Sequence, residues 1–273
     1  MNQAHGNSAA PLASASLGRA AGLAAVNLSV RAGARELVRE LSMRFVPGEV
    51  LAILGRNGSG KTLTLHTLAG LRPSAGGGVS LDGAPLSALK RRAIALRLGL
   101  LPQDLEDAFV TTAMETVLIG RHPHLALWQW ETAADEAIAR AALAAVDMSD
   151  FASRRTDTLS GGEQRRAAVA ALIAQQPGIF LLDEPTNHLD PHHQIAVLRL
   201  FRTLADSGRT VITTLHDPTL AARFADQVLL LHGDGRWTAG PTSTTLTAAS
   251  LSELYVAPMM EFSKDGRRVF VSA

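Results

Sequence analysis

The octapeptide Gly55-Arg56-Asn57-Gly58-Ser59-Gly60-Lys61-Thr62 constrains this chain more than any other stretch. It fits G-x-x-x-x-G-K-S/T, and it lies between the apolar run "EVLAIL" (49–54) and a helical run from Lys61 to about Ala69. A strand that breaks into a glycine turn and restarts as a helix turns backbone N–H groups inward. Those of Gly58, Ser59 and Gly60 are placed to surround phosphate oxygens, and the helix dipole adds to the attraction. Lys61 is spaced to reach the β- and γ-phosphates of a nucleotide, and the Thr62 hydroxyl to bind Mg²⁺. Ligands of this kind sit at the carboxyl edge of an open sheet, so the expected class is α/β.

Further short apolar runs support a largely parallel sheet: "LGLL" (98–101), "IFLLD" (179–183), "TVITTL" (210–215) and "QVLLL" (227–231). Helical runs alternate with them. Ile195, Leu198, Phe201 and Ala205 recur at helical spacing, with Asp190 as N-cap, Pro191 at the first position and Gly208 as stop. Residues from about 105 to 165 are mostly helical in pattern, which predicts a helical subdomain inserted into the α/β core. Residues 1–22, rich in Ala, Ser and Gly, are expected to be a flexible tail. The main domain is expected over 23–245, with 246–273 as its C-terminal extension.

Composition excludes several classes. Hydrophobic residues make up 47% of 273, enough for a sizeable core. There is no cysteine, hence no disulfide framework and no thiolate metal site, in keeping with a reducing cytoplasm. With 26 basic against 25 acidic residues the chain lacks the basic footprint of a nucleic-acid binder, and no nucleic-acid partner is expected. No run approaches the roughly 18–20 apolar residues that span a bilayer, so the expected protein is soluble or peripheral.

Two more stretches carry chemistry. In "IFLLDE" an apolar strand delivers Asp183 to its end, placed to hold Mg²⁺, followed by Glu184, placed to polarise an attacking water. Such a base accelerates a reaction by roughly 10²–10⁴. Alone, an acidic pair after a strand is usually a helix cap; the phosphate loop upstream gives it weight. In "LSGGEQRR" (159–166), Ser160, Gly161 and Gly162 open a second anion-binding helix start. One nucleotide already has its cradle, so a second start makes best sense serving the nucleotide of another subunit.

With these motifs the chain resembles the ATP-binding subunits of ATP-binding-cassette transporters, whose signature reads LSGGQ or LSGGE. The resemblance runs from about residue 26 to 245. It implies the P-loop ATPase fold of that family, an α/β domain with a mixed sheet and an inserted helical subdomain. It further implies that Gln103 in "LLPQD" links Mg²⁺ and the lytic water to the permease contact, and that Asp190 in "NHLD" is the carboxylate of a loop crossing the dimer. His216 in "TLHD" is implied to sense the γ-phosphate. ATP contacts would come from Gly55 to Leu63, the partner's ATP would meet Ser160, Gly161, Gly162, Glu163 and Asp190, and Mg²⁺ would be held by Thr62, Gln103 and Asp183. Glu184, His216 and Gln103 are the implied catalytic set. Two copies would pack head to tail, closing on ATP and reopening on hydrolysis, against permease subunits and, indirectly, a periplasmic substrate-binding protein. That places the chain at the cytoplasmic face of the inner membrane.

Histidines invite a metal reading. His122 and His124 flank Pro123 in "GRHPHL", and "NHLDPHH" adds His188, His192 and His193. A metal site needs three or four converging ligands, and these runs are far apart in sequence. "GRHPHL" instead resembles a stretch in the helical subdomain of importers for metal chelates: ferric siderophores, haem and cobalamin. His122 and His124 are therefore expected to be local structure, and His192 and His193 a solvated helix start. The alternatives are an ABC transporter for another solute, or a soluble non-transport ATPase. Two positions depart from the family pattern: Ala32 stands where an aromatic usually stacks on adenine, and Leu63 where a hydroxyl residue often follows the Mg²⁺ ligand.

Overall fold

The computed structural model describes residues 22–104, 110–126 and 128–273. The tail expected over 1–22 lies outside the described residues except for Gly22. The chain divides into two compact units, Met1–Ala88 with Thr214–Ala273, and Leu89–Thr213.

The first unit begins with β1 (Leu23–Ala32) and β2 (Arg35–Phe45), an antiparallel pair joined at Gly33 and Ala34. Gly33 sits at φ 58, the left-handed region that such tight turns require. Then follow β3 (Val50–Leu54), α1 (Lys61–Leu68), β4 (Gly76–Leu81) and the short β5 (Ala84–Pro85). These give an antiparallel sheet in the order β2-β1-β4-β5. All five residues of β3 are buried, as a strand covered on both faces must be.

The second unit holds α2 (Arg91–Ala95), β6 (Leu98–Leu101), α3 (Ala113–Ile119), α4 (Ala133–Ala144), α5 (Gly161–Ala174), β7 (Ile179–Leu182), α6 (Pro191–Asp206) and β8 (Thr210–Thr214). Here β6, β7 and β8 pair in parallel, Leu98 opposite Ile179 and Ile179 opposite Thr210. Helices α3, α4 and α5 pack on one another. Capping boxes start all three, at Thr112–Glu115, Thr132–Asp135 and Ser160–Glu163.

Back in the first unit come α7 (Pro218–Phe224), β9 (Gln227–Leu231), β10 (Trp237–Pro241), α8 (Thr242–Thr245), α9 (Ala248–Tyr255), and the hairpin of β11 (Met259–Lys264) with β12 (Arg267–Ser272). Strand β9 runs parallel to β3 and antiparallel to β10. With both pairings present the fold is α/β with mixed strand directions, as expected, and each predicted apolar run is a strand.

"GRHPHL" turns out to be a knot that fastens the helices. A Cβ on Gly120 would lie 2.1 Å from the Ala171 carbonyl oxygen, so only glycine lets α3 approach α5 here. Arg121 is 6% exposed; its Nε donates to Asp135 (2.9 Å) and its Nη1 to the Ala174 carbonyl (2.8 Å). One guanidinium thus fixes the end of α3 to the start of α4 and the end of α5. The Thr132 hydroxyl and backbone N–H, then Arg121, hold the Asp135 carboxyl down at about 2. The His124 ring pairs with the Gln175 carbonyl at 2.8 Å.

Candidate active site

The phosphate-binding loop belongs to the first unit. Residue by residue, Gly55, Ser59, Gly60 and Lys61 are buried, Arg56, Asn57 and Gly58 exposed, and Thr62 and Leu63 half-buried. Gly58 and Gly60 take φ of 73 and 102, values that let the loop turn its N–H groups inward. Gly55 is fixed by crowding instead: a Cβ there would meet Ser59 Oγ at 2.4 Å and the Leu231 carbonyl oxygen at 2.6 Å. The end of β9 therefore supports the loop from behind. Arg35 adds to this, its guanidinium donating twice to the Gly233 carbonyl at 3.0 and 2.7 Å.

Lys61 bridges the loop, its Nζ donating to the carbonyls of Gly55 (2.9 Å) and Arg56 (3.4 Å). Helix α1 opens on Gly60 with no acidic residue in its first turn, which leaves its positive end uncompensated by side chains of that turn. Ser59 Oγ is buried without a hydrogen-bond partner among the described residues. The Ser59 N–H itself donates to the Arg56 carbonyl at 3.1 Å, and the glycine turn, one ammonium and a buried hydroxyl in need of a partner fit a polyphosphate. The Leu215 N–H donates to the Ile53 carbonyl at 3.1 Å, so His216 and the loop leave adjacent strand ends. His216 is exposed, and its carbonyl accepts from the Tyr255 hydroxyl at 3.4 Å.

In the second unit a residue that sequence reading did not single out holds the acidic turn. Arg165 of α5 is 1% exposed and donates to the carbonyls of Asp183 (2.6 Å), Glu184 (2.8 Å), Pro185 (3.4 Å), Pro102 (2.5 Å) and Gln103 (3.2 Å). Burial draws its guanidinium down to about 10, although the charges of Asp183, Glu184 and Asp104 oppose this. So Gln103, Asp183 and Glu184, expected as parts of one site, are gathered around one buried cation. The signal in the sequence was an arginine five residues past the signature serine, on the face of α5 that is buried. Asp183 is fully buried and Glu184 is 6% exposed. Glu184 sits at φ 48, and its Oε2 accepts from Asn187 Nδ2 at 2.5 Å.

The signature and the following loop also meet within this unit. Ser160 and Gly161 are exposed; the Ser160 N–H donates to Glu163 Oε2 at 2.7 Å, and Ser160 Oγ accepts from the Glu163 N–H at 3.3 Å. The Ser160 N–H bond is the main cause of a lowered Glu163 pKa. A Cβ on Gly162 would lie 3.1 Å from the His188 carbonyl oxygen, so glycine permits the close approach of 188–190. Asp190 is exposed, and both its oxygens are engaged by its own helix: Oδ1 accepts from the His193 N–H (2.9 Å) and Oδ2 lies 2.8 Å from His193 Nδ1. The His193 N–H bond is the first cause of a lowered Asp190 pKa. Asp190, His192 and His193, at the exposed start of α6, bring three ligand-type atoms within 4.8 Å of one another. Of these pairs, Asp190 Oδ2 and His193 Nδ1 lie 2.8 Å apart, and the His192 and His193 rings meet edge to face at 5.2 Å.

Residues 38–187, more than half of the chain, match the ABC transporter family. The chain belongs to that family. It is similar to the hemin import ATP-binding protein HmuV of Streptomyces coelicolor, 40% identical over 88% of this chain and 85% of that one. The protein of the same name from Deinococcus radiodurans is 44% identical over 75% of this chain and 78% of that one. Among solved structures, an inward-facing metal-chelate type ABC transporter matches with TM-score 0.81 and 28% identity, covering 93% of this chain and 98% of that chain. A dimeric ATP-binding cassette bound to ADP and phosphate shares the fold, with TM-score 0.70 and 24% identity over 81% of this chain and 98% of that chain. As a member of the ABC transporter family, this chain is an ATP hydrolase of a transport system. Among the described residues no helix is long and apolar enough to cross a membrane.

Proposed function

We propose that this chain energises the import of a metal chelate, haem foremost among haem, ferric siderophores and cobalamin, through separate membrane permease subunits at the cytoplasmic face of the inner membrane. The observation that carries the reading is the likeness to two hemin import ATP-binding proteins, at 40% and 44% identity over most of the chain. The resemblance of "GRHPHL" to a stretch in importers for metal chelates points the same way. Residues 23–245 are taken as the ATP-binding domain, with its helical subdomain at about 105–165 and 246–273 as its extension.

Gly55 to Leu63 bind the nucleotide's phosphates, with Lys61 countering their charge. Thr62, Gln103 and Asp183 are assigned to hold Mg²⁺, which when bound neutralises charge on the transferring phosphoryl group. A hydroxyl and a buried carboxylate are hard oxygen donors suited to that ion. Glu184 orients the attacking water and accepts its proton; Asn187 on Oε2 keeps the carboxylate from rotating away. His216 reads the γ-phosphate. Ser160, Gly161, Gly162, Glu163 and Asp190 face the nucleotide of a second copy, in a closed two-fold arrangement. Asp190 must then release its hold on His193 or act through that ring.

A groove of about 640 Å³ in the second unit is the proposed seat of a permease helix. Leu100, Leu101, Ile119, Pro123, Ala168 and Leu172 make its apolar wall. Pro102 and Asp104, on either side of Gln103, also line it, which gives permease motion a route to the catalytic set. The test uses the absence of cysteine. A single Ile119→Cys variant in native membranes should cross-link to a many-helix membrane protein that co-purifies with it. A chain that leaves the membrane fraction alone and cross-links to nothing would refute the reading.

A further inference from the structure

Two tryptophans of the second unit stand almost wholly in solvent, Trp128 at 90% and Trp130 at 85% exposure. A lone exposed apolar side chain is ordinary, but two indoles within three residues are not. Trp128 is at φ 67, a conformation that a bulky side chain rarely adopts. The turn that holds it there is hydrogen-bonded: the Ala126 N–H donates to Gln129 Oε1 (2.9 Å) and the Gln129 N–H to the Ala126 carbonyl (3.0 Å). Trp237 makes the contrast, since its indole N–H donates to the Arg39 carbonyl at 2.9 Å. Among the described residues neither Trp128 nor Trp130 has such an acceptor.

Three cations lie on a helix start that is tied to the stretch just before these tryptophans. Lys90, Arg91 and Arg92 are consecutive and exposed at the start of α2. Arg92 pins that start to the turn His122–His124 ahead of the tryptophans, donating from Nε to the Pro123 carbonyl (2.9 Å) and from Nη2 to the His124 carbonyl (3.4 Å). The acidic group on the loop itself is Glu131, whose carboxylate lies 3.8 Å from His122 Nε2. His122, Pro123 and Ile119 line the groove just described, whereas Trp128, Trp130 and the three cations do not.

We infer that Trp128, Trp130 and Lys90–Arg92 seat directly on the headgroup layer of an anionic phospholipid surface. Indole has an apolar body and one N–H donor, the combination that settles at the membrane interface. Cations at the same level add attraction to anionic lipid. The placement rests on the permease reading of the groove, because a chain held against a membrane permease is held close to the bilayer surface. Direct lipid contact, however, can be measured without the permease.

The test is flotation of the full-length chain with vesicles of phosphatidylcholine alone, and with vesicles of phosphatidylcholine and phosphatidylglycerol in equal parts. ATP hydrolysis is followed in parallel. The wild-type chain is expected to float with the anionic vesicles and not with the neutral ones, with a blue shift of its tryptophan emission. Trp128→Ser with Trp130→Ser should lower partitioning by about tenfold or more. Lys90→Gln and Arg91→Gln should lower it by about fivefold each. Hydrolysis should stay unchanged in all of them. A wild-type chain that floats with neither vesicle overturns the inference, as does a tryptophan variant that floats like wild type. So does shielding of both indoles that requires detergent-solubilised permease and no lipid, which would make them a protein contact. Loss of hydrolysis in the wild-type chain would count against the ATPase reading alone.

Discussion

Arg165 and Glu184 are joined through the main chain: the buried guanidinium donates to the Glu184 carbonyl at 2.8 Å, and the same group reaches the Gln103 carbonyl at 3.2 Å. The proposed base and the proposed permease-linked glutamine therefore share one positioning residue. Arg165→Ala should leave five carbonyls short of a donor, three of them buried, and destabilise the protein by about 3 kcal/mol or more. Arg165→Lys should restore part of the stability and little of the hydrolysis, because a point ammonium cannot reproduce a planar five-donor fork. Thermal unfolding and ATP turnover measured on the same samples separate the two effects.

Glu184→Gln should bind ATP as wild type does and hydrolyse it about 10²–10⁴ times more slowly. Equilibrium nucleotide binding beside single-turnover hydrolysis checks this. Near-normal turnover would mean that another group is the base.

Gly162→Ala tests the packing of the signature on the 188–190 loop. The new methyl group would press on the His188 carbonyl oxygen from 3.1 Å and shift the loop by a few tenths of an ångström. Hydrolysis should fall by about tenfold or more, since misplacement on the order of 1 Å costs about 10²-fold. Nucleotide affinity of the isolated chain should not change.

Ala32 ends β1 in solvent, next to the Gly33 turn. An aromatic ring there should stack on adenine, so Ala32→Tyr is expected to tighten ATP binding by about 1–3 kcal/mol. Fluorescent nucleotide titration reads it directly, and unchanged affinity would show that the base lies elsewhere.

The Asp135 carboxyl is held down at about 2, against 3.8 for a free one. A depressed carboxylate stabilises the fold above its unfolded pKa and loses that contribution as pH falls through the folded value. The difference in stability between wild type and Asp135→Asn should thus be full at pH 7, shrink as pH falls from about 5 and be gone only near pH 1, below both values. At pH 7 the variant should be about 2 kcal/mol less stable. Chemical denaturation across that range tests the sign.

The parallel strands were legible because β3, β6, β7 and β9 are short, mostly buried aliphatic runs and β8 is a buried run of β-branched Thr, Val and Ile. The antiparallel sheet of β1, β2 and β4 was not. Irregular register between Ala25 and Val30 breaks the alternation of β1, and β4 begins with three glycines, so no period of two stands out. The hairpin β11–β12 was equally hidden, since its two faces are both largely exposed. Motif residues announced themselves by spacing, whereas Arg165 acts only on carbonyls, and carbonyl partners leave no trace in side-chain identity. Spacing along the chain argues against His122 and His124 as ligands, whereas the places of Gly120, Arg121 and His124 follow only from the packing of α3 on α5.

The most direct test of ATP-driven chelate import is uptake in a strain lacking this gene, restored with the wild-type chain or with Glu184→Gln. Labelled haem, ferric siderophore and cobalamin are offered in parallel. Haem entering only with the wild-type chain is the expected result. Normal entry of all three chelates with Glu184→Gln or without the gene, in a strain with no second such ATPase, would contradict it.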